Sequence, residues 1–98
     1  MTSTPIPVVE ISGTPAERGR AHGESARAQI ADSLEFYRRA FAVSPGLPWP
    51  EVVRRARAWR PIVAAAAPDL LAEMDGIADG AGVGADEVLT LNARGEIA

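Results

Sequence analysis

Apolar and polar positions along the chain predict a mostly helical protein with a strand at each end. Residues 7–13 alternate in polarity, with Val9 and Ile11 on one face and a glycine as the stop, which predicts a short strand. Nothing else in the first half of the chain has this period. The pairing partner of this strand is therefore expected at the C-terminal end or in another chain.

A long amphipathic helix is predicted to follow, from about Pro15 to Ala42. Thr14 is expected to cap it, and Glu17 reaches back to complete a capping box. Apolar residues then recur every three or four positions, which is the period of one helix face. The predicted buried stripe consists of Ala26, Ile30, Leu34, Tyr37 and Phe41.

Prolines and glycines divide the rest of the chain into shorter helices. A breaker-rich loop at 44–50 precedes a second helix that runs to Arg60, and Pro61 ends or kinks it. A short apolar helix then continues to Pro68, where a third helix starts, and one more helical turn is expected over 86–91. The predicted buried faces are Val52, Val53, Ala56 and Trp59 in the second helix, and Leu70, Leu71, Met74, Ile77 and Ala78 in the third.

The last seven residues change period and predict a terminal strand. Asn92, Arg94 and Glu96 alternate with small or apolar residues, so a strand would place them in one row, about 7 Å between neighbours. Arg94 is a candidate to hold a carboxylate or a developing oxyanion, and Glu96 to orient it or to hold an amine. The alternative is a self-neutralising charge pair on a solvated strand.

Composition restricts the classes of function. The 98 residues suit one domain, 1–98, and a net charge of −3 argues against a nucleic-acid partner. Cysteine is absent and His22 is the single histidine, so the usual nucleophiles and bases are scarce. No cofactor or metal is expected. The sequence has no signal-peptide pattern and no membrane span, so the cytoplasm is the default location. All ten basic residues are arginine and alanine is abundant, as in GC-rich bacterial genomes.

Several residues have a structural interpretation that we prefer to a functional one. Gly19 and Gly23 are expected to let a neighbouring backbone approach the first helix, since their spacing matches no phosphate loop. The later glycines, from Gly76 to Gly84, are interpreted as a helix end with a flexible exit. His22 is assigned to structural hydrogen bonding, and Trp49 and Trp59 to packing. A solvated helix face is assigned to the acidic residues Asp69, Glu73, Asp75 and Asp79.

Four motifs in order resemble a known family. Segments 13–19, 22–23, 73–82 and 91–96 read GTPAERG, HG, EMDGIADGAG and LNARGE. Together they resemble the N-terminal part of the acyl-coenzyme A:6-aminopenicillanic acid acyltransferase family of N-terminal-nucleophile hydrolases, which is related in plan to acid ceramidase. The resemblance spans nearly the whole chain, and the final Asn-x-Arg-x-Glu segment contributes most to it.

The resemblance implies a precursor that cuts itself shortly after the terminal strand. This chain would be the alpha subunit of a heterodimer, and a beta chain from the same precursor would begin with the nucleophilic cysteine. That cysteine would attack an amide or acyl thioester and form an acyl-enzyme. The implied fold is α+β, in which this chain completes an αββα sandwich.

No catalytic residue is expected in this chain itself. Asn92, Arg94 and Glu96 would support the cleft or the cleavage site. The competing hypothesis is a non-enzymatic helical module that binds a protein partner through its apolar helix faces.

Overall fold

In the computed structural model, the described residues are 13–97, with side chains described for 13–93. They form six helices joined by short turns. In chain order these are α1 Pro15–Ser25, α2 Arg27–Val43, α3 Trp49–Arg57, α4 Arg60–Ala66, α5 Pro68–Ala81 and α6 Ala85–Ile97.

The expected α+β fold is wrong for this part of the chain. Residues 13–97 contain no strand, and an αββα sandwich requires strands. The strand predicted at the N-terminus lies outside the described residues, except for Gly13 at its end. The strand predicted from Asn92 onwards is instead the second half of α6.

The C-terminal segment is helical because α6 buries an apolar face, and its polar side chains bond back to the same helix. The Thr90 hydroxyl donates to the carbonyl of Asp86 at 2.7 Å, and Asn92 Nδ2 donates to the carbonyl of Val88 at 3.0 Å. Each polar side chain thus finds its partner one turn back on the same helix. Val88 and Leu89 are almost completely buried, which anchors this helix by its apolar face.

The first predicted helix is real but interrupted. Thr14 Oγ1 accepts from the amide of Glu17 at 3.1 Å, and Glu17 Oε1 accepts from the amide of Thr14 at 2.9 Å. The capping box is therefore confirmed. Ala26 departs from helical geometry and separates α1 from α2, so the expected single helix is two. Of its predicted stripe, Leu34 and Phe41 are buried.

Helices α1 and α5 lie closer together than any side chain would permit. A Cβ atom added to Gly19 would overlap the carbonyl oxygen of Glu73, and one added to Gly76 would overlap that of Ala16. Gly23 and Gly80 meet the opposite backbone in the same way. The predicted role of Gly19 and Gly23 is confirmed. Because these contacts advance in the same direction along both helices, α1 and α5 run parallel.

Gly82 ends α5. Gly82 has a φ of +73°, a left-handed conformation that glycine adopts readily, and the next amide, of Val83, donates to the carbonyl of Ala78 at 3.0 Å. The predicted helix end is thus confirmed at Gly82. It is wrong for Gly76 and Gly80, which lie inside the helix.

The core consists of two small apolar clusters. One joins α2 to α3 and the other joins α5 to α6. Their buried members are Phe41, Val52 and Ala56 in the first, and Met74, Ala78, Val88 and Leu89 in the second. The predicted burial of Val52, Ala56, Met74 and Ala78 is confirmed. Leu70, also predicted to be buried, is 50% exposed.

Candidate functional site

The structure places Asn92, Arg94 and Glu96 on the last turns of α6. Successive helical residues are rotated by about 100°, so positions 92 and 94 are roughly 200° apart around the axis. A helix therefore does not place positions 92, 94 and 96 in the single row that a strand would create. Asn92 is exposed, and its amide nitrogen donates to the carbonyl of Val88 on its own helix.

Asn92 borders an apolar groove of about 270 Å³. The groove lies between the corner that joins α3 to α4, helix α5 and helix α6. Its lining residues are Trp59, Val63, Leu70, Met74, Leu89, Asn92 and Ala93. This groove, which we call the Asn92 groove, is the candidate functional site, because it combines an apolar surface with one of the residues expected to support a cleft.

The chemistry of the Asn92 groove is that of binding. Among the side chains described for residues 13–93, the lining contains no acid, base, hydroxyl or thiol, and its polar groups are the amide of Asn92 and the indole N–H of Trp59. One N–H of that amide donates to the carbonyl of Val88, which leaves its second N–H to donate and its oxygen to accept. The groove can therefore hold an apolar group and orient it through one amide, but it offers no group that would attack a carbonyl or move a proton.

A charged cluster joins the α3–α4 corner to α5 and α6. Arg60 donates to Asp75 at 2.5 Å and lies 3.5 Å from Asp86, which also pairs with Arg57 at 2.8 Å. The hydrogen bond that Arg60 donates to the Asp75 carboxylate raises the pKa of the Arg60 guanidinium above its ordinary value. Because arginine stays charged at all ordinary pH values, Arg57 and Arg60 suit this cluster to joining helices.

Sequence reasoning missed this cluster. The sequence predicts that Asp75 and Asp79 share a solvated helix face. Of the two, Asp79 is exposed, and it pairs with Arg20 at 2.5 Å. Asp75 is half-buried and bonded to Arg60, fifteen positions away. Pairs at such separations leave no periodic signal. The proline after Arg60, which turns the chain at that point, was the one available hint.

The other singled-out residues have structural positions. His22 is exposed on α1 and its side chain makes no hydrogen bond within residues 13–93, so the hydrogen-bonding role predicted for it is not found. Trp49 packs against the α2–α3 cluster and donates its indole N–H to Glu87 at 3.3 Å, so its packing role is confirmed. Trp59 is half-buried and lines the Asn92 groove. Within residues 13–93, no three histidine or carboxylate side chains converge as a metal ion would require.

Comparison with known proteins gives no relative. No protein-family model matches the chain, and neither a curated protein nor a solved structure matches it. A search of the described helices for membrane spans finds none that is long and apolar enough to cross a bilayer.

Proposed function

We propose that this chain is the alpha subunit of a self-cleaving amidohydrolase or acyltransferase whose nucleophile is the N-terminal cysteine of a partner beta chain. The sequence support is the order of the four motif segments. Since this chain has no cysteine, the proposal assigns the chemistry to the partner. The proposal concerns a helical subunit and does not extend to the sandwich fold that the described residues contradict.

One structural observation carries the proposal. The motif segments at 13–23 and 73–82 are separated by fifty residues in sequence, yet four of their glycines meet in the α1–α5 contact. A chance resemblance in two distant segments would have no reason to include positions that touch and that tolerate only glycine. The contact therefore supports treating the motifs as one folded unit.

In the proposed reaction, the terminal cysteine thiol of the beta chain gives its proton to the α-amine of the same residue and attacks an amide or thioester carbonyl. The C–N or C–S bond of the substrate then breaks, and the departing amine or thiol takes up that proton. The acyl group stays on sulfur until water or an amine takes it. The alpha chain contributes support, through the end of α6 at Asn92, Arg94 and Glu96. The proposal includes a cytoplasmic location, where a cysteine thiol stays reduced.

A second function has its own observation. Phe36, Val43, Ile62 and Leu70 are between 50% and 83% exposed, although large apolar side chains are usually buried. Exposed apolar groups on helix faces are typical of a protein-interaction module. In that case the chain would bind a protein without taking part in catalysis.

Mass spectrometry of the complete gene product separates the two functions. Self-cleavage gives two masses, and sequencing of the larger fragment should find cysteine at its N-terminus. The control replaces that cysteine by alanine, which should leave one uncut chain. A wild-type product that remains one chain after prolonged incubation contradicts the enzyme proposal and favours the interaction module.

A further inference from the structure

The outer face of α2 has the spacing of a helix that pairs with another helix. Five exposed residues recur at intervals of three, four, three and four along this face. They are Gln29, Asp32, Phe36, Arg39 and Val43, which we call the α2 stripe. The residues that α2 buries, Leu34 and Phe41, lie on its opposite side. The alternation of three and four is the heptad period that keeps one seam facing a partner helix.

The exposure of the stripe is unusual for its composition. Phe36 is 64% exposed and Val43 is 83% exposed. Two charges share the face with them, and Asp32 has no ion-pair partner within residues 13–93. Arg39 donates to Glu35 at 2.8 Å, and Arg38 donates to the same carboxylate. Glu35 would therefore keep its ion pair with Arg38 if Arg39 paired with another acceptor.

The charges select both the partner and its direction. We propose that the α2 stripe binds the α2 stripe of a second copy of this chain, antiparallel, about a two-fold axis between positions 35 and 36. This axis places Asp32 opposite Arg39 of the second copy and repeats the pair by symmetry. A parallel pairing would oppose each charge to itself, which costs stability.

The apolar residues fit the same axis. Phe36 lies beside the axis, where the two rings meet, and Val43 lies opposite Ala28 of the second copy. The stripe is about 21 Å long at 1.5 Å per residue. One pair of helix faces of this length is smaller than the roughly 800 Å² per partner of a stable interface. The dimer is therefore weak, and the dimeric fraction of the protein rises with protein concentration. This inference does not depend on the proposed function.

Cysteine cross-linking tests the register directly, because the 98-residue chain contains no cysteine of its own. Ala28→Cys and Val43→Cys are both exposed and leave Phe36 intact. Mixed and mildly oxidised, the two variants should give about tenfold more disulfide dimer than either alone, because pairing raises the effective concentration of the thiols. Ala58→Cys, exposed outside α2, serves as the background control.

Several outcomes would overturn the proposal. Equal cross-linking of the single and mixed samples indicates parallel or random association, and cross-linking at the Ala58→Cys level indicates a face that is bare or covered by another partner. Charge exchange is the second arm: Asp32→Arg and Arg39→Asp should each abolish the excess, and the double variant should restore it. A double variant as poor as the single ones contradicts the antiparallel pairing.

Discussion

Four glycines allow the backbones of α1 and α5 to touch. Their positions follow a four-residue spacing in both helices, so each helix presents a flat strip without side chains. Alanine is the better helix former by about 1 kcal/mol, which would favour its substitution for glycine if the helices were exposed. At these four positions the steric overlap of an added Cβ opposes the better helix propensity of alanine. The larger of the two free energies decides whether the substitution stabilises or destabilises the protein.

Gly19→Ala and Gly76→Ala should each lower the free energy of unfolding by on the order of 3 kcal/mol. The new Cβ would overlap a backbone carbonyl, which cannot move away as a flexible side chain can. Urea denaturation followed by circular dichroism measures the change. Gly84→Ala is the control, because its nearest atom is a side-chain oxygen of Glu87 at 3.4 Å. Stabilisation by Gly19→Ala would show that the α1–α5 contact is not formed.

Single residues were predictable where their partners are near in sequence. The capping box of Thr14 and Glu17 spans three positions and followed from residue type alone. Gly19 and Gly23 were correctly interpreted as sites of backbone approach. Their partners, Gly76 and Gly80, were assigned to a helix end instead, because pairing across fifty residues depends on tertiary packing that no local spacing encodes.

At the scale of elements, the helices of the middle of the chain were predictable and the last one was not. Prolines mark the starts of α3 and α5, and apolar spacing gives their buried faces. Within the alternating segment from Asn92 to Glu96, Ala93, Arg94 and Glu96 are good helix formers, and the segment continues a helix that is already anchored by Val88 and Leu89, so period two was a misleading signal. The break at Ala26 has no proline to announce it.

Glu51 makes the stability of α3 depend on pH. Hydrogen bonds from Arg54 and Arg55 lower the pKa of the Glu51 carboxyl from 4.5 to about 2. A lowered folded-state pKa stabilises the protein above the ordinary value, and this contribution is lost as the pH falls toward the folded-state value. The stability advantage of wild type over Glu51→Gln should therefore be full above pH 4.5 and shrink toward pH 2.

Denaturation at a series of pH values, with and without added salt, checks this expectation. Salt should reduce the advantage, because all three side chains are solvent-accessible. Glu24→Gln is the matched control, since its one ion pair, with Arg20, is long at 3.6 Å. An advantage for wild type that grows as the pH falls would have the wrong sign for this mechanism.

At the scale of the molecule, polar contacts connect two small cores. The α2–α3 cluster and the α5–α6 cluster have separate buried residues. Arg57 and Arg60 contact Asp86, and Arg60 also contacts Asp75, so three contacts tie the α3–α4 corner to α5 and α6. A fourth, from Trp49 to Glu87, ties the start of α3 to α6. Arrangements of this kind are decided by the tertiary fold, which is why the sequence predicted the cores and not their connection.

Asp75→Ala should lower the free energy of unfolding by about 1 kcal/mol, because it leaves Arg60 with only its longer contact to Asp86. The value is modest because both side chains of the pair are roughly a third exposed. Replacing the pair together, Arg60→Met with Asp75→Leu, should recover most of the loss, since apolar side chains leave no charge without a partner. A double variant that is less stable than the sum of its single variants contradicts this account.

Asn92 allows stability and processing to be separated in the complete gene product. Its side chain is exposed and bonds only to the Val88 carbonyl of its own helix, so Asn92→Ala should change the free energy of unfolding by less than about 0.5 kcal/mol. If the end of α6 supports the cleavage site, the same variant should slow self-cleavage by roughly tenfold or more, as should Arg94→Ala and Glu96→Ala.

The measurement is the rate at which the two fragments appear by mass spectrometry, with Ser25→Ala as an exposed control on α1. Slow cleavage with unchanged stability assigns these residues to the site, whereas slow cleavage with a large loss of stability assigns them to folding. Wild-type rates in all three variants contradict the supporting role of Asn92, Arg94 and Glu96. The heterodimer proposal would then still depend on whether the wild-type product divides into two chains.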